Sequence, residues 1–394
     1  MHQRIETLPV KHLCLLLVAF LLSAVAPQEA RAQCPPQSLE GKEFLVMFLS
    51  NHGDNQNGEL SLVATCRRST NLIVQNPRTG YSRTVRVDAG EAASIYIPQE
   101  EGNTPPDNQP HSTGLRVISG ENISLYASNY QNYTFDITSV LPSGALDTDY
   151  MAQTYNGMAS DICEVGVLAT EDSTVLTIIT SDGDTTPFAY TLMAGQAQQF
   201  STPSTDDGFG FSGLRVKSNG KPFAMFQGNR CTYVPSTHGA CDHLYEQCLP
   251  VARWGRQFVL VPTAGRTLSG ERVRVTSLND NCTVQYDGTT TTLQGGGTVE
   301  YNLPPGAAKT LTASDKVTVC IYLSGGSYGG EPGDPAMVLV PPMEQGVRSA
   351  TFKAINTDIT THHYANIVVA TRYVPYMRID TLRIDTAFHS IGNG

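Results

Sequence analysis

The sequence predicts an all-β protein built from tandem β-sandwich-like modules of about 100 residues each. Three observations support this prediction: a repeat within the chain, short β-rich runs separated by turn residues, and a composition low in charge and rich in glycine, threonine, serine, valine and tyrosine, which favours strands and tight turns over helices. A β-propeller, in which each repeat supplies two four-stranded blades, is the alternative architecture. The pattern of two cysteines around a tryptophan that marks immunoglobulin domains is absent, so the prediction concerns architecture only.

The repeat is clearest in a four-residue motif. Gly114–Val117, with the sequence Gly-Leu-Arg-Val, returns 99 residues later at Gly213–Val216. The leucine of a weaker third copy, Leu311, lies 97 residues beyond Leu214. Because this spacing is nearly constant, we expect Leu115, Leu214 and Leu311 to occupy one equivalent position in three superposable modules.

Two further features align in the three copies. The first is a β-rich run, which occurs at Leu62–Thr65, Val167–Thr170 and Val273–Thr276. The second is a turn that contains glycine, which occurs at Ala89–Glu91, Ala194–Gln196 and Pro305–Ala307. Runs of β-branched residues bounded by glycine turns are typical of strands that follow one another in antiparallel sheets.

These matches divide the chain into five segments. The predicted segments are a signal peptide at 1–32, β repeats at 33–148, 149–256 and 257–348, and an incomplete fourth repeat at 349–394. The run Asn366–Thr371 is expected to form the first long strand of the fourth repeat.

The N-terminal segment predicts export. Arg4 and Lys11 give a positive start, Leu13–Val25 is apolar apart from Ser23, and Ala30–Ala32 forms a small-x-small cleavage pattern. The apolar run is shorter than the ~20 residues of a membrane-spanning helix. We therefore expect cleavage after Ala32, a secreted or cell-surface product, and no transmembrane segment in the mature chain.

Eight cysteines follow the signal segment, and an even number in an exported chain predicts disulfides. Cys231 and Cys241 are the best pair because ten residues separate them, and Cys282 and Cys320 are next because both lie on predicted strands of one repeat. The alternative is a zinc site in the same region, formed by Cys231, His238, Cys241, His243 and Cys248. No Cys-x-x-Cys pair occurs, so disulfides are favoured and no cofactor is predicted.

The motifs favour binding over catalysis. The sequence contains neither a Gly-x-Ser-x-Gly elbow nor a His-Glu-x-x-His motif, so no enzyme is predicted. The candidate binding surface consists of Tyr233, Tyr245 and Trp254 around the expected Cys231–Cys241 loop, since rigid aromatic rings bury large areas at low entropic cost. The alternative is that these rings only pack two modules together.

The segment Cys241–Gln247, with Leu249–Pro250 and Trp254–Phe258, closely resembles the IgGFc-binding N-terminal domain family. A weaker likeness extends from about Glu43 to Asp380. The resemblance implies an extracellular, non-enzymatic domain and, in the family's namesake, binding to the Fc part of immunoglobulin G. The Cys-rich modules that follow in the animal protein are absent, which predicts a bacterial member.

We therefore expect a secreted or cell-surface binding or adhesion protein. The expected partner is an extracellular protein or glycan, with mucin and immunoglobulin as candidates. Nucleic acid is excluded because the net charge is −10 and no lysine or arginine cluster occurs. A structural spacer and, less favoured, a glycan-active enzyme are the alternatives. Loops at the repeat joints are expected to carry a binding site.

Overall fold

The computed structural model describes residues 38–391, apart from 56–57, 156–161, 181–184, 204–209, 238, 330–332 and 355–362. The predicted signal peptide lies outside the described residues. Strands dominate the described chain, and the α-helices found there, Gln99–Gly102 and Gly326–Gly329, are single turns. No helix in this part of the chain has the length and apolar character needed to cross a membrane.

The first module contains eight strands joined by short turns. Its strands are β1 (Gly41–Val46), β2 (Glu59–Cys66), β3 (Thr70–Gln75), β4 (Ser82–Val87), β5 (Ala92–Ile97), β6 (Pro110–His111), β7 (Leu115–Gln131) and β8 (Thr134–Val140). Two 3-10 turns accompany them, at His52–Asn55 and Ser143–Ala145.

The long strand β7 belongs to both sheets of a sandwich. Its first half pairs with β1 and β3, so that Val117 faces Phe44 and Val74. Its second half pairs with β2 and β8, so that Leu125 faces Ala64 on β2. All five side chains are buried, and their alternation along each strand places them in the core between the sheets.

The second and third modules repeat this arrangement. The second consists of β9 (Asp149–Met151), β10 (Ile162–Ala169), β11 (Thr174–Ile179), β12 (Thr185–Leu192), β13 (Ala197–Pro203), β14 (Arg215–Ser218), β15 (Phe223–Thr232) and β16 (Asp242–Gln247). The third consists of β17 (Gly255–Leu260), β18 (Glu271–Ser277), β19 (Cys282–Tyr286), β20 (Thr289–Leu293), β21 (Thr298–Leu303), β22 (Lys309–Leu323) and β23 (Ala336–Leu339). The 3-10 turns Val251–Arg253 and Met343–Gln345 follow β16 and β23.

The strand order and the register agree among the modules. In the first module one sheet has the strand order β8-β7-β2-β5 and the other has the order β4-β3-β7-β1, and the other two modules have the same two orders with their own strands. In the second module two separate strands, β14 and β15, take the place of the single long strand. Equivalent cross-strand pairs are Ala64 with Leu125, Val167 with Met225, and Val275 with Val319. The prediction of an all-β fold with sandwich-like modules is confirmed, while the boundaries of the segments stay a prediction.

Two expected equivalences in the third module were wrong. Leu311 faces Phe258 of β17, as Val117 faces Phe44, so it corresponds to Val117 and not to Leu115. The glycine turn equivalent to those at residues 90 and 195 is at Gly296, not Gly306. For Leu311 the error is a slip of two residues, which preserves the apolar pattern because side chains in a strand alternate between faces. The turn was misassigned because Pro305–Ala307 is also a glycine turn, which precedes β22.

The repeated glycines mark where one module meets the next. Gly195 and Gly296 adopt the left-handed backbone region, with φ of 78° and 77°. A Cβ on Gly114 would lie 2.6 Å from the carbonyl oxygen of Gly195, and a Cβ on Gly213 would lie 2.2 Å from that of Gly296. The glycine of each Gly-Leu-Arg-Val motif therefore permits close packing on the turn of the following module.

Other contacts also join the first and second modules. Strand β6 pairs with the edge strand β13, with His111 opposite Ala197, and so extends a sheet of the second module. The hydrophobic core of the first module continues into Phe226 and Tyr245 of the second. The modules thus share a continuous interior rather than a flexible linker.

The expected strand Asn366–Thr371 is absent. Residues 363–370 carry neither helix nor strand, and Thr371–Tyr376 forms a 3-10 segment. The strands described in the C-terminal segment are β24 (Arg378–Ile379) and β25 (Leu382–Arg383), which form a short hairpin, and the 3-10 turn Asp385–Ala387 follows them. The equivalent strands β2, β10 and β18 each lie between two neighbours, and such neighbours are lacking for 363–370 among the described residues.

Candidate functional site

Trp254, the only tryptophan, is buried at the joint between the second and third modules. It packs with Met151 and Val251, and its indole N–H donates to the carbonyl oxygen of Leu249 at 3.3 Å. Only 4% of the residue is exposed, so it offers no surface to a partner. This position fits the alternative prediction, in which the aromatic ring only packs two modules together.

Tyr245 is also fully buried. Its hydroxyl donates to the carbonyl oxygen of Met47 at 2.6 Å, across the joint between the first two modules. Its ring stacks on Phe226, with the ring centroids 5.7 Å apart. Of the three predicted surface residues, only Tyr233 is partly exposed. The predicted trio therefore does not form a shared surface.

The predicted disulfide between Cys231 and Cys241 is confirmed. It closes the loop between β15 and β16, and the two Cα atoms are 5.2 Å apart. No group of three or more histidine, cysteine or acidic residues in the described chain could hold a metal ion. His238 of the alternative zinc site lies outside the described residues, and the imidazole Nδ1 of His243 is 2.9 Å from the carbonyl oxygen of Asn229.

Replacing Cys231 and Cys241 together by serine should lower the free energy of unfolding by about 2–3 kcal/mol, because the unfolded chain then gains the freedom of an open loop. Denaturant unfolding of the exported chain measures the change. A reducing agent should destabilise the wild type and leave the double variant unchanged. Equal stability of oxidised wild type and double variant would contradict the prediction.

The second predicted disulfide, between Cys282 and Cys320, is wrong. The Cys282 thiol lies 3.9 Å from the carbonyl oxygen of Asp315, five residues before Cys320 on β22. Five strand residues span about 16 Å, whereas bridged cysteines need Cα atoms about 4.4–6.8 Å apart. Cys320 instead faces Arg274 and Leu339 on the neighbouring strands.

The last strands of the three modules meet at a junction held by buried carboxyl groups. Asp136 on β8 accepts hydrogen bonds from the backbone N–H of Tyr245 on β16 at 2.9 Å and of Met337 on β23 at 3.4 Å. Its other oxygen accepts from the N–H of Ile137 at 2.8 Å. One carboxyl group thus connects strands from all three modules.

Two more acids act in the same way. Asp242 accepts from the backbone N–H of Phe135 at 2.6 Å. Glu246 accepts from the N–H of Leu339 at 3.0 Å and from the hydroxyl of Thr138. Strands β8, β16 and β23 lie side by side but do not pair with one another. The acid side chains therefore accept the backbone N–H groups that a neighbouring strand would otherwise accept in a sheet.

Burial controls the ionisation of this junction. It raises the pKa of Asp242 to about 8 and that of Glu246 to about 7, and it raises the pKa of Asp136 well above its usual range. Burial lowers the pKa of His243 to about 4. These groups are enclosed by protein, so the arrangement serves cohesion between modules rather than contact with a substrate.

An exposed aromatic cluster lies beside this junction, on the hairpin between β7 and β8. Tyr130, Tyr133 and Phe135 are 46%, 88% and 45% exposed. Tyr130 and Phe135 face each other across the ladder, and Tyr133 occupies the turn with a φ of 73°. We call these three residues the aromatic hairpin tip.

Two hydrogen bonds to neighbouring loops and strands hold the aromatic hairpin tip in place. The hydroxyl of Thr134 donates to the side-chain oxygen of Asn51 at 2.7 Å, and Asp242, next to the disulfide, accepts from Phe135. This tip is not among the residues predicted from the sequence. The alternating pattern Tyr-Gln-Asn-Tyr-Thr-Phe at 130–135 combines turn residues with three aromatics and could have indicated it.

Comparison with known proteins places these observations in a family. The sequence model of the family described as IgGFc binding protein matches residues 136–394, which include the second and third modules and the carboxylates of the junction. The chain belongs to this family. Most of the first module, with the aromatic hairpin tip, precedes the matched residues.

Human IgGFc-binding protein is 25% identical to this IgGFc-binding family member over 313 residues. The alignment covers 76% of the chain but 6% of the human protein. A crystal structure of a tetra-tandem repeat in the extending region of a large adhesion protein covers 75% of the chain and 73% of its own, with 13% identity and a TM-score of 0.10.

Proposed function

We propose that this chain is an extracellular binding protein that recognises a protein or glycan partner without chemical turnover. The observation that carries the proposal is the aromatic hairpin tip, with its three exposed rings on a braced hairpin. Membership in the IgGFc binding protein family supports a binding role. The export signal predicted at 1–32 and the Cys231–Cys241 disulfide support an extracellular location.

The aromatic hairpin tip has the physical properties of a contact surface. Tyrosine and phenylalanine rings bury about 150–250 Å² each, and binding energy concentrates in such residues. The contacts of Thr134 and Phe135 fix the hairpin before binding, so less conformational entropy is lost when a partner docks.

The partner to test first is the Fc part of immunoglobulin G. The human relative is named for binding to this ligand, and the alignment of the two sequences covers 76% of this chain. Mucin and other extracellular glycoproteins form the second group of ligands, because aromatic rings also stack on the apolar faces of sugars. The disulfide loop with Tyr233 lies beside the hairpin and would extend the same surface.

Tyr133→Ala should weaken binding at least tenfold while the unfolding temperature stays unchanged, because this side chain is 88% exposed. Binding of the exported chain to immobilised Fc, to mucin and to a glycan array measures the effect. Tyr96→Ala, which removes a 56% exposed tyrosine from β5, is the matched control and should leave binding unchanged.

Two outcomes would overturn the proposal. One is full binding by the Tyr133→Ala chain, which would place the contact elsewhere. The other is the absence of any ligand in the three assays, together with hydrolysis of a glycan substrate by the purified chain.

A further inference from the structure

A groove of about 500 Å³ opens at the joint between the first and second modules, next to the contact of Gly114 with the turn at Gly195. Its walls include Leu45 of β1, Ser143 of the 3-10 turn after β8, and Thr170, the residue after β10. A volume of about 300–1,000 Å³ is typical of ligand sites. None of the residues described along its walls belongs to the aromatic hairpin tip.

The joint between the second and third modules is filled at the same positions. The residues equivalent to Leu45, Ser143 and Thr170 are Met151, Val251 and Leu278. Each pair shares its place in the module: after the buried aromatic of the first strand, at the start of the 3-10 turn, or directly after the central strand. Trp254 packs with all three equivalents and is itself buried. The second joint thus shows that an indole ring fits between two of these modules.

The first joint has no such ring of its own. The position of Trp254, directly after the 3-10 turn, is Leu146 in the first module, and this leucine packs into that module's core. Ser143 and Thr170 carry hydroxyl groups where the second joint has the apolar side chains of Val251 and Leu278. The groove therefore keeps open the space that the chain fills at its second joint.

The charges around the groove favour a partner that brings a cation. Glu43 accepts a hydrogen bond from the guanidinium Nε of Arg116 at 2.7 Å. Glu171 is exposed at the edge of the groove, and no ion pair of its carboxylate occurs among the described residues. These three groups together carry one negative charge, which a lysine or arginine of a partner would neutralise.

The filled joint contains a cation within the chain. The ammonium group of Lys316 donates to the carbonyl oxygen of Ala252, in the 3-10 turn beside Trp254, at 3.3 Å. The position equivalent to Lys316 in the groove is Pro222. The chain thus supplies both a tryptophan and a lysine at the second joint, and the residues described around the groove supply neither.

We propose that this groove binds a segment of a partner protein that inserts a tryptophan side chain flanked by lysine or arginine. The indole ring would contact Leu45 and the apolar parts of Ser143 and Thr170, as Trp254 contacts their equivalents. The flanking cations would face Glu43 and Glu171. This site is separate from the aromatic hairpin tip and does not depend on it.

Fluorescence anisotropy of the dye-labelled peptide Gly-Ser-Lys-Trp-Lys-Ser-Gly, titrated with the exported chain, tests the proposal. We expect saturable binding that weakens as the salt concentration rises. Alanine in place of the peptide's tryptophan should weaken binding at least about tenfold, because an aromatic ring buries about 150–250 Å². Glutamate in place of both lysines should also weaken it, since the groove carries a net negative charge.

Two kinds of variant locate the site. Thr170→Leu introduces the side chain found at the filled joint and should reduce binding at least about tenfold, and Ser143→Val should act in the same direction. Thr290→Leu, at an exposed position of β20, is the matched control. Glu171→Gln should weaken binding at low salt, whereas Glu59→Gln, at an exposed position of β2, should not.

Thermal unfolding of each variant distinguishes a filled groove from a lost fold. Failure of the lysine-flanked peptide to bind the wild-type chain at millimolar concentration would overturn the proposal. Binding that persists unchanged in folded Thr170→Leu and Ser143→Val chains would also overturn it, because the contact would then lie elsewhere. Equal binding of the tryptophan and alanine peptides, or of the lysine and glutamate peptides, would refute the partner chemistry assigned to the groove.

Discussion

Asp136→Ala should lower the free energy of unfolding by about 3–5 kcal/mol, among the largest effects of a single substitution in this chain. The substitution removes a side chain that accepts hydrogen bonds from the second and third modules at once, through the N–H groups of Tyr245 and Met337. Each buried N–H left without an acceptor costs about 1–3 kcal/mol. Equilibrium unfolding in denaturant measures the loss.

Two variants serve as controls. Asp136→Asn retains a carbonyl oxygen that can accept from Tyr245, so it should be less destabilising than alanine. Asp88→Ala removes an exposed acid that pairs with Arg86 on the surface, and it should change stability by less than about 1 kcal/mol. An Asp136→Ala chain as stable as Asp88→Ala would mean that the junction contributes little to cohesion between the modules.

The sequence revealed the class of fold because turn glycines and β-rich runs recur at a nearly constant interval. Gly195 is one such residue, and its φ of 78° explains why glycine recurs there. The register of the third module was not visible, because Leu311 and a residue two positions away point to the same face. The pairing of Cys282 failed for a related reason, since presence on adjacent strands does not fix the position along them.

The candidate site was less predictable than the fold. Trp254 and Tyr245 lie beside the joints, as expected, but composition does not show whether an aromatic residue at a joint faces inward or outward. The structure buries both under a neighbouring module. Tyr133 is exposed because it occupies a hairpin turn with positive φ, and no core packs against that turn.

The segment Asn366–Thr371 shows a different limit. Its residues favour the extended conformation locally, and a strand was predicted there for that reason. A strand forms, however, only when another strand satisfies its backbone donors and acceptors. That neighbour is a property of tertiary or quaternary structure. For the same reason the junction acids were not predicted, because Tyr245 and Met337, whose N–H groups donate to Asp136, lie more than one hundred residues away in sequence.

The stability contributed by Asp242 should decrease as the pH rises from about 4 to about 8. In the unfolded chain this carboxyl loses its proton near an ordinary value of about 4, whereas burial holds the folded pKa at about 8. The folded state therefore binds one more proton between these limits. The contribution is fully present below the lower limit and is lost as the pH passes the upper one. Since each pKa unit corresponds to about 1.4 kcal/mol, the change amounts to several kcal/mol.

Asp242→Asn isolates this effect, because asparagine keeps the oxygen that accepts from Phe135 and carries no charge at any pH. The difference in unfolding free energy between wild type and variant removes the titration that the two chains share, and it retains the influence of the Asp242 charge on the pKa of Asp136. The variant should become progressively more stable than the wild type from pH 5 to pH 9 in urea unfolding. Asp315→Asn provides the opposite case, since a hydrogen bond from Asn279 lowers the pKa of Asp315. A difference for Asp242→Asn that does not vary with pH would show that the buried carboxyl is ionised throughout, and that the N–H donors around it outweigh its desolvation.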